Sequence, residues 1–151
     1  PKILSGNNVY CKIGEGKKTL LLNSHLDTVP PSESWTKKPF KAEKVNRKIY
    51  GLGAADAKGS LAAMMETIAD LKKTEKELNG KVIFAATDKE EVGGSGMEKL
   101  AKWLKFDAVV IGEPTNLNIC VAERGLLKLK KLRALTSCFA SSLIWEPKLK
   151  R

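Results

Sequence analysis

The chain is short of the features that mark secreted or membrane-bound proteins. Its three cysteines, Cys11, Cys120 and Cys138, form no CxxC pair, and an odd number argues against a disulfide framework. A reducing, cytoplasmic setting is the expectation. No apolar run approaches membrane-spanning length, and the opening Pro1-Lys2-Ile3 lacks the charged, then apolar, then small order of a signal peptide. A soluble protein with no membrane partner is therefore expected. There is no initiating Met, which fits either Met removal ahead of Pro1 or a chain that begins inside a larger one. Acidic residues are also scarce: 17 Asp and Glu face 27 Lys and Arg, for a net charge of +10. That excess would suit nucleic acid or an anionic surface, but it is concentrated at one end. Lys128, Lys130, Lys131, Arg133, Lys148, Lys150 and Arg151 stand against Glu146 alone, so the first 125 residues are only mildly basic. The basic end has no aromatic interleaving and no nucleic-acid module, so a solvated or disordered tail is expected and nucleic acid is not. Histidine occurs once, as His25.

What is present is enough for one globular domain with a core: 151 residues, 42% of them hydrophobic. Val9 to Ile13 and Thr19 to Ser24 are short β-type runs on either side of Gly14-Glu15-Gly16-Lys17, and they predict a hairpin of neighbouring strands. Residues 30 to 48 are rich in Pro, Ser and Lys and predict a long irregular loop, closed by a short strand at Lys48-Ile49-Tyr50. The small-residue stretch 51 to 59 leads into a helix whose Leu61, Met64, Met65, Ile68 and Leu71 form one apolar stripe, with both methionines expected in the core. Lys81 to Ala86 predicts a buried strand. Met97 to Lys105 predicts a helix with Leu100, Trp103 and Leu104 inward, and Asp107 to Ile111 a further strand. Ile119 to Leu135 is β-rich. This βα alternation predicts an α/β layer fold, in which ligands gather beyond the C-terminal ends of the strands.

Four of the predicted strand ends and turns carry chemistry. His25 and Asp27 follow the apolar run 20 to 22 and, two residues apart in extended chain, share a face on which the carboxylate can orient the imidazole. Asp56 lies in the glycine-rich turn, Glu90 and Glu91 follow the strand that ends near Ala86, and Glu113 follows Ile111. Taken singly, each has an ordinary explanation: a polar strand end, an N-cap, a solvated acidic edge. Together, one imidazole and several carboxylates are a donor set suited to Zn²⁺, Mn²⁺ or Co²⁺.

The blocks Ser24-His25-Leu26-Asp27-Thr28-Val29-Pro30, Trp35 with Pro39-Phe40, Tyr50 to Ser60, Glu90-Glu91-Val92-Gly93-Gly94 and Gly112-Glu113-Pro114-Thr115 occur in an order that resembles the M20 metallopeptidase family, over about residues 8 to 130. That family includes acetylornithine deacetylases and succinyl-diaminopimelate desuccinylases. The resemblance implies a three-layer, zinc-exopeptidase-like α/β catalytic domain with a mostly parallel sheet, incomplete at its C-terminal end. It implies a metal-dependent hydrolase that cleaves the amide bond of N-acyl amino acids or small peptides through metal-activated water, with two divalent ions, Zn²⁺ or Co²⁺, of which this chain holds two or only one. By the same resemblance His25 and Glu113 bind one metal and Glu91 the other, Asp56 bridges them, Asp27 holds the His25 ring and Glu90 is the general base. A cis peptide at Asp56-Ala57 is implied too, as is homodimerisation of full-length relatives.

Three departures from the family pattern stand out. Lys89 separates Asp88 from Glu90 where the family reads Asp-Glu-Glu, and Ala57 stands where it reads Asp-Met-Lys-Gly. The third is larger: beyond His25 there is no histidine for the lid or for the second metal. The expected organisation is a partial catalytic domain over residues 1 to 125, then the start of a lid and dimerisation region with an atypical basic tail over 126 to 151. The alternative reading is an inactive, truncated remnant of such an enzyme.

Overall fold

The computed structural model describes residues 2–3 and 7–120. They form strands β1 (Lys2–Ile3), β2 (Val9–Ile13), β3 (Thr19–His25), β4 (Glu43–Val45), β5 (Lys48–Tyr50), β6 (Lys81–Thr87) and β7 (Ala108–Ile111), with helices α1 (Gly59–Lys73) and α2 (Ser95–Trp103). Five strands make one sheet in the order β1-β2-β6-β3-β7. β3 is parallel to both β6 and β7, whereas β2 is antiparallel to β1 and β6, so β2 alone of these five opposes the rest. The sheet is mixed but mostly parallel, as expected.

Alternation along the strands sets the layers. Leu22, Phe84 and Ala86 face one way and pack with Leu61 and Ile68 of α1; Leu21, Ile83 and Ala85 face the other way and pack with Leu100 of α2. Strands buried on both faces read as unbroken apolar runs, which is why residues 20 to 22 and 82 to 86 carry almost no polar side chain. The chain passes from β3 through α1 to β6 on one side, then through α2 to β7 on the other side of β3. Crossovers of one hand that step in opposite directions put their helices on opposite faces, giving three layers.

Several expectations are corrected. β2 and β3 are not neighbours in a hairpin: β6 lies between them and pairs with both. Turn residues report only that the chain reverses, and β3, whose residues 20 to 22 are apolar on both faces, gains more from a parallel partner on each edge. Room for the inserted strand comes from the connecting loop, where Gly14 adopts φ 70° and a Cβ would run into the Gly80 carbonyl at the entrance to β6. The stretch 30 to 48 is not wholly irregular, because Glu43–Val45 pairs with β5 around a two-residue turn. Asn46 and Arg47 both take positive φ there (48° and 64°), the primed geometry that matches strand twist. Met64 packs on the core, but Met65, at the margin of the stripe, is 58% exposed. α2 begins at Ser95 and ends at Trp103, whose side chain is 71% exposed, while Leu104 just beyond the helix turns inward. The expected β-rich segment beyond Cys120 and the lid region over 126 to 151 lie outside the described residues, and no helix among those described is long and apolar enough to cross a membrane.

Asp107 ties the start of β7 to the start of β3. Its carboxylate accepts from the Thr19 amide at 2.7 Å and from Lys18 Nζ at 3.1 Å. The bond to the Thr19 N–H and then the Lys18 ammonium hold its pKa below the ordinary carboxylate value. A depressed folded-state pKa contributes stability above the unfolded value, and that contribution is lost as pH falls through the folded one. Asp107→Asn is therefore expected to lower the melting temperature at neutral pH, with the gap to wild type closing in acid below the ordinary carboxylate range. Thermal melts of both proteins followed by circular dichroism across pH measure this directly.

Candidate metal centre

Because β3, β6 and β7 run parallel and in register, their C-terminal ends open on one edge. Register pairs His25 with Thr87 and Asn23 with Ile111, so the segments leaving β6 and β7 start level with the tip of β3. The strand ends are locked by buried polar groups. Asn23 Nδ2 donates to the Ala85 carbonyl (3.1 Å), Ser24 Oγ to the Gly112 carbonyl (2.8 Å), and the Leu26 amide to the Thr87 carbonyl (2.7 Å). Gly112 sits where a Cβ would press on Ser60 and Met64 of α1, so the chain leaves β7 close against that helix and delivers Glu113 to the tip. From the other side Asp56 arrives in the tight turn Ala54–Lys58 that precedes α1. The Asp56–Ala57 peptide is cis, as the family resemblance implies, and the small Ala57 side chain is fully buried.

His25 is the hub. Its side chain is 1% exposed, Nε2 lies 2.9 Å from Asp56 Oδ1 and 4.0 Å from Glu113 Oε2, and Nδ1 lies 2.9 Å from the backbone carbonyl of Asp27. A carbonyl only accepts, so Nδ1 carries a proton; a carboxylate only accepts as well, so the bond to Asp56 places a second proton on Nε2, and Nε2 offers a lone pair to an ion once that proton leaves. Donor atoms of His25, Asp56 and Glu113 lie within 4.8 Å of one another, as do those of His25, Glu90 and Glu91. The two trios share His25 and no carboxylate.

The electrostatics follow from this crowding. Burial pulls the His25 pKa down, but the bond to Asp56, the Asp27 carbonyl and the charges of Glu113 and Glu90 outweigh it and leave the imidazole more basic than usual. Burial pushes the Glu113 carboxyl up; His25 pulls it back, while Asp56, Glu90 and Glu91 add to the rise. Four acids thus converge on a single imidazole, which leaves negative charge in excess even when the ring is protonated. A divalent cation would neutralise that excess, and the nitrogen and oxygen donors present suit one.

All six residues singled out from sequence gather at this edge. Asp27 does more than the spacing suggests: it meets the ring through its backbone carbonyl, its carboxylate lying 3.6 Å from Nδ1, while that carboxylate accepts the amides of Glu90 and Glu91, each at 3.1 Å. Asn8 carried no signal in the sequence. It is fully buried, accepts the Asp88 amide (2.9 Å) and donates to the Gly96 carbonyl (3.0 Å), which fastens the turn carrying Glu90 to the start of α2.

Comparison with known proteins agrees with this geometry. Residues 21–136 match the family described as Peptidase family M20/M25/M40. An acetylornithine deacetylase of Buchnera aphidicola is 40% identical over 121 residues, which is 78% of this chain and 31% of that protein. A succinyl-diaminopimelate desuccinylase of Methylorubrum extorquens is 38% identical over 118 residues, covering 72% of this chain and 31% of the relative. The chain thus spans about a third of the length of these relatives. Among solved structures, an M20 family metallo-carboxypeptidase of Sulfolobus solfataricus superposes with a TM-score of 0.60 at 36% identity, over 72% of this chain and 26% of that one. Human carnosine dipeptidase 1 does so with a TM-score of 0.59 at 26% identity, over 70% and 25%.

Proposed function

The chain belongs to peptidase family M20/M25/M40, and from that premise we propose that its β3, β6 and β7 tips form a divalent-metal centre for hydrolysing the amide bond of N-acyl amino acids or small peptides. The observation that carries the reading is the convergence on a buried His25 of Asp56 at 2.9 Å and Glu113 at 4.0 Å, on the open edge of a parallel sheet. His25, Asp56 and Glu113 would hold one ion; Glu91 would serve a second, with Asp56 shared. Zn²⁺ and Co²⁺ suit this mixed set best. When bound, such an ion polarises the scissile carbonyl and brings the pKa of a coordinated water down to about 7.

The chain's own groups do the rest. The Asp27 carbonyl keeps a proton of His25 on Nδ1, so that Nε2 is the ring atom that would turn to an ion in place of its bond to Asp56. Glu90 is exposed beside the trio, where its carboxylate can take a proton from the attacking water and return it to the leaving amine. The relatives named for acetylornithine and succinyl-diaminopimelate make acylated amino acids the first substrates to try.

The test is release of free amine from N-acetyl and N-succinyl amino acids by the purified chain with Zn²⁺ or Co²⁺, against a chelated control. Turnover that requires the metal is the expected result. Metal uptake without turnover would reduce the chain to the metal-holding part of a site completed by other residues, and no uptake would overturn the centre itself.

A further inference from the structure

The turn that carries Glu90 and Glu91 has little to hold it. Lys89, Glu90, Val92 and Gly93 are all exposed, and neither core cluster includes a residue of the turn. Its shape rests on backbone donors. The Asp88 amide goes to Asn8 Oδ1, the Gly94 amide to the Lys89 carbonyl at 2.7 Å, and the Gly93 amide to the Glu90 carbonyl at 3.3 Å. The amides of Glu90 and Glu91 are consecutive, follow Lys89 in a left-handed conformation (φ 59°), and both turn toward one acceptor. Successive N–H groups curled by such a residue form a concavity that binds an anion. The anion here is the Asp27 carboxylate, with Oδ1 on the Glu90 amide and Oδ2 on the Glu91 amide.

From this geometry we infer that Asp27 is a positioning residue for Glu90 and Glu91, and that its carboxylate sets the place of the base while its backbone carbonyl sets the ring of His25. The two jobs are separable on distance. At 3.6 Å the carboxylate is too far from Nδ1 for a hydrogen bond, whereas the carbonyl at 2.9 Å is not. Charge-assisted bonds are about twice as strong as neutral ones, so two on one carboxylate form the main tie between the tip of β3 and the turn after β6. The tie also explains how His25, Glu90 and Glu91 stay within 4.8 Å although two of the three sit on an exposed turn. The catalytic meaning of this tie rests on the proposed function; the tie itself does not.

The test uses the whole chain labelled with ¹⁵N, as wild type, Asp27→Ala and Asp27→Asn. Asparagine keeps the volume but offers one acceptor oxygen and turns an NH₂ toward the other amide, so it should fail nearly as badly as alanine. In both variants the Glu90 and Glu91 amide protons are expected to move upfield and to exchange at least about tenfold faster. His25 Nδ1 should still carry its proton, and amides of Leu21 and Ile83 should be unmoved. Unchanged Glu90 and Glu91 amides, or a tautomer switch at His25 without them, would overturn the inference. A Zn²⁺ titration separates the two levels. If wild type takes up Zn²⁺, the variants should bind it about 10–100-fold more weakly, and equal affinity would count against the positioning role. If wild type takes up none, the proposed centre fails, and the amide shifts still decide the tie.

Discussion

Glu90→Gln is expected to slow amide hydrolysis by about 10²–10⁴-fold while leaving the bound metal unchanged. The substitution keeps the side chain's shape and removes only its ability to accept a proton. It also leaves the backbone N–H of residue 90 in place, so the bond from that amide to Asp27 Oδ1 at 3.1 Å survives and the turn keeps its form. The loss should therefore fall on kcat, with KM little altered. Glu91→Gln provides the contrast: in the proposed arrangement Glu91 is a ligand, so its replacement should lower metal content as well as rate. Metal analysis of each purified variant beside its hydrolysis kinetics gives the comparison. A Glu90→Gln protein that turns over at the wild-type rate would remove Glu90 from the role of base.

The contrast between two neighbouring glutamates shows what could be read before the fold was known. Apolar runs of strand length and the stripe through Leu61, Ile68 and Leu71 place β3, β6 and α1, because burial on two faces or on one leaves a local period. The acids at the ends of those runs then fall on one edge for a topological reason, since parallel strands joined by helices all finish at the same end. Strand order is different in kind. Gly14 and Gly16 look like hairpin glycines, and only the long-range pairing of β6 with both β2 and β3 shows that they make room for a third strand. Met65 and Trp103 are apolar at helical spacing yet exposed, because a nine- or fifteen-residue pattern does not say how wide the covered face is. The carboxylate of Asp27 was legible as a partner for the ring two residues away, but its actual partners are backbone amides more than sixty residues on, and an amide has no letter in the sequence. Asn8 was hidden for the same reason: both its partners are main-chain groups.

His25→Ala is expected to weaken Zn²⁺ binding by more than about 100-fold while Mg²⁺ binding changes by about tenfold or less. The asymmetry follows from the donor set. His25 is the only nitrogen donor among the proposed ligands His25, Asp56, Glu91 and Glu113, so its removal leaves oxygen alone, which satisfies a hard, strongly hydrated ion far better than zinc. A second effect opposes the loss for neither ion: without the ring, Glu113 loses the group that pulls its pKa down, and the remaining carboxylates repel one another with no internal cation. Because the side chain is 1% exposed, alanine also leaves a void at the end of β3, and His25→Asn, which fills more of it with a polar group, separates lost ligation from lost packing. Both variants should lose the preference for zinc, whereas only alanine should melt markedly lower. Competition with a chromophoric chelator for Zn²⁺, titration calorimetry for Mg²⁺ and thermal melts without metal supply the three measurements. Parallel losses of the two ions would overturn the argument from the donor set, and retention of zinc by His25→Ala would place the metal site elsewhere than on the tip of β3.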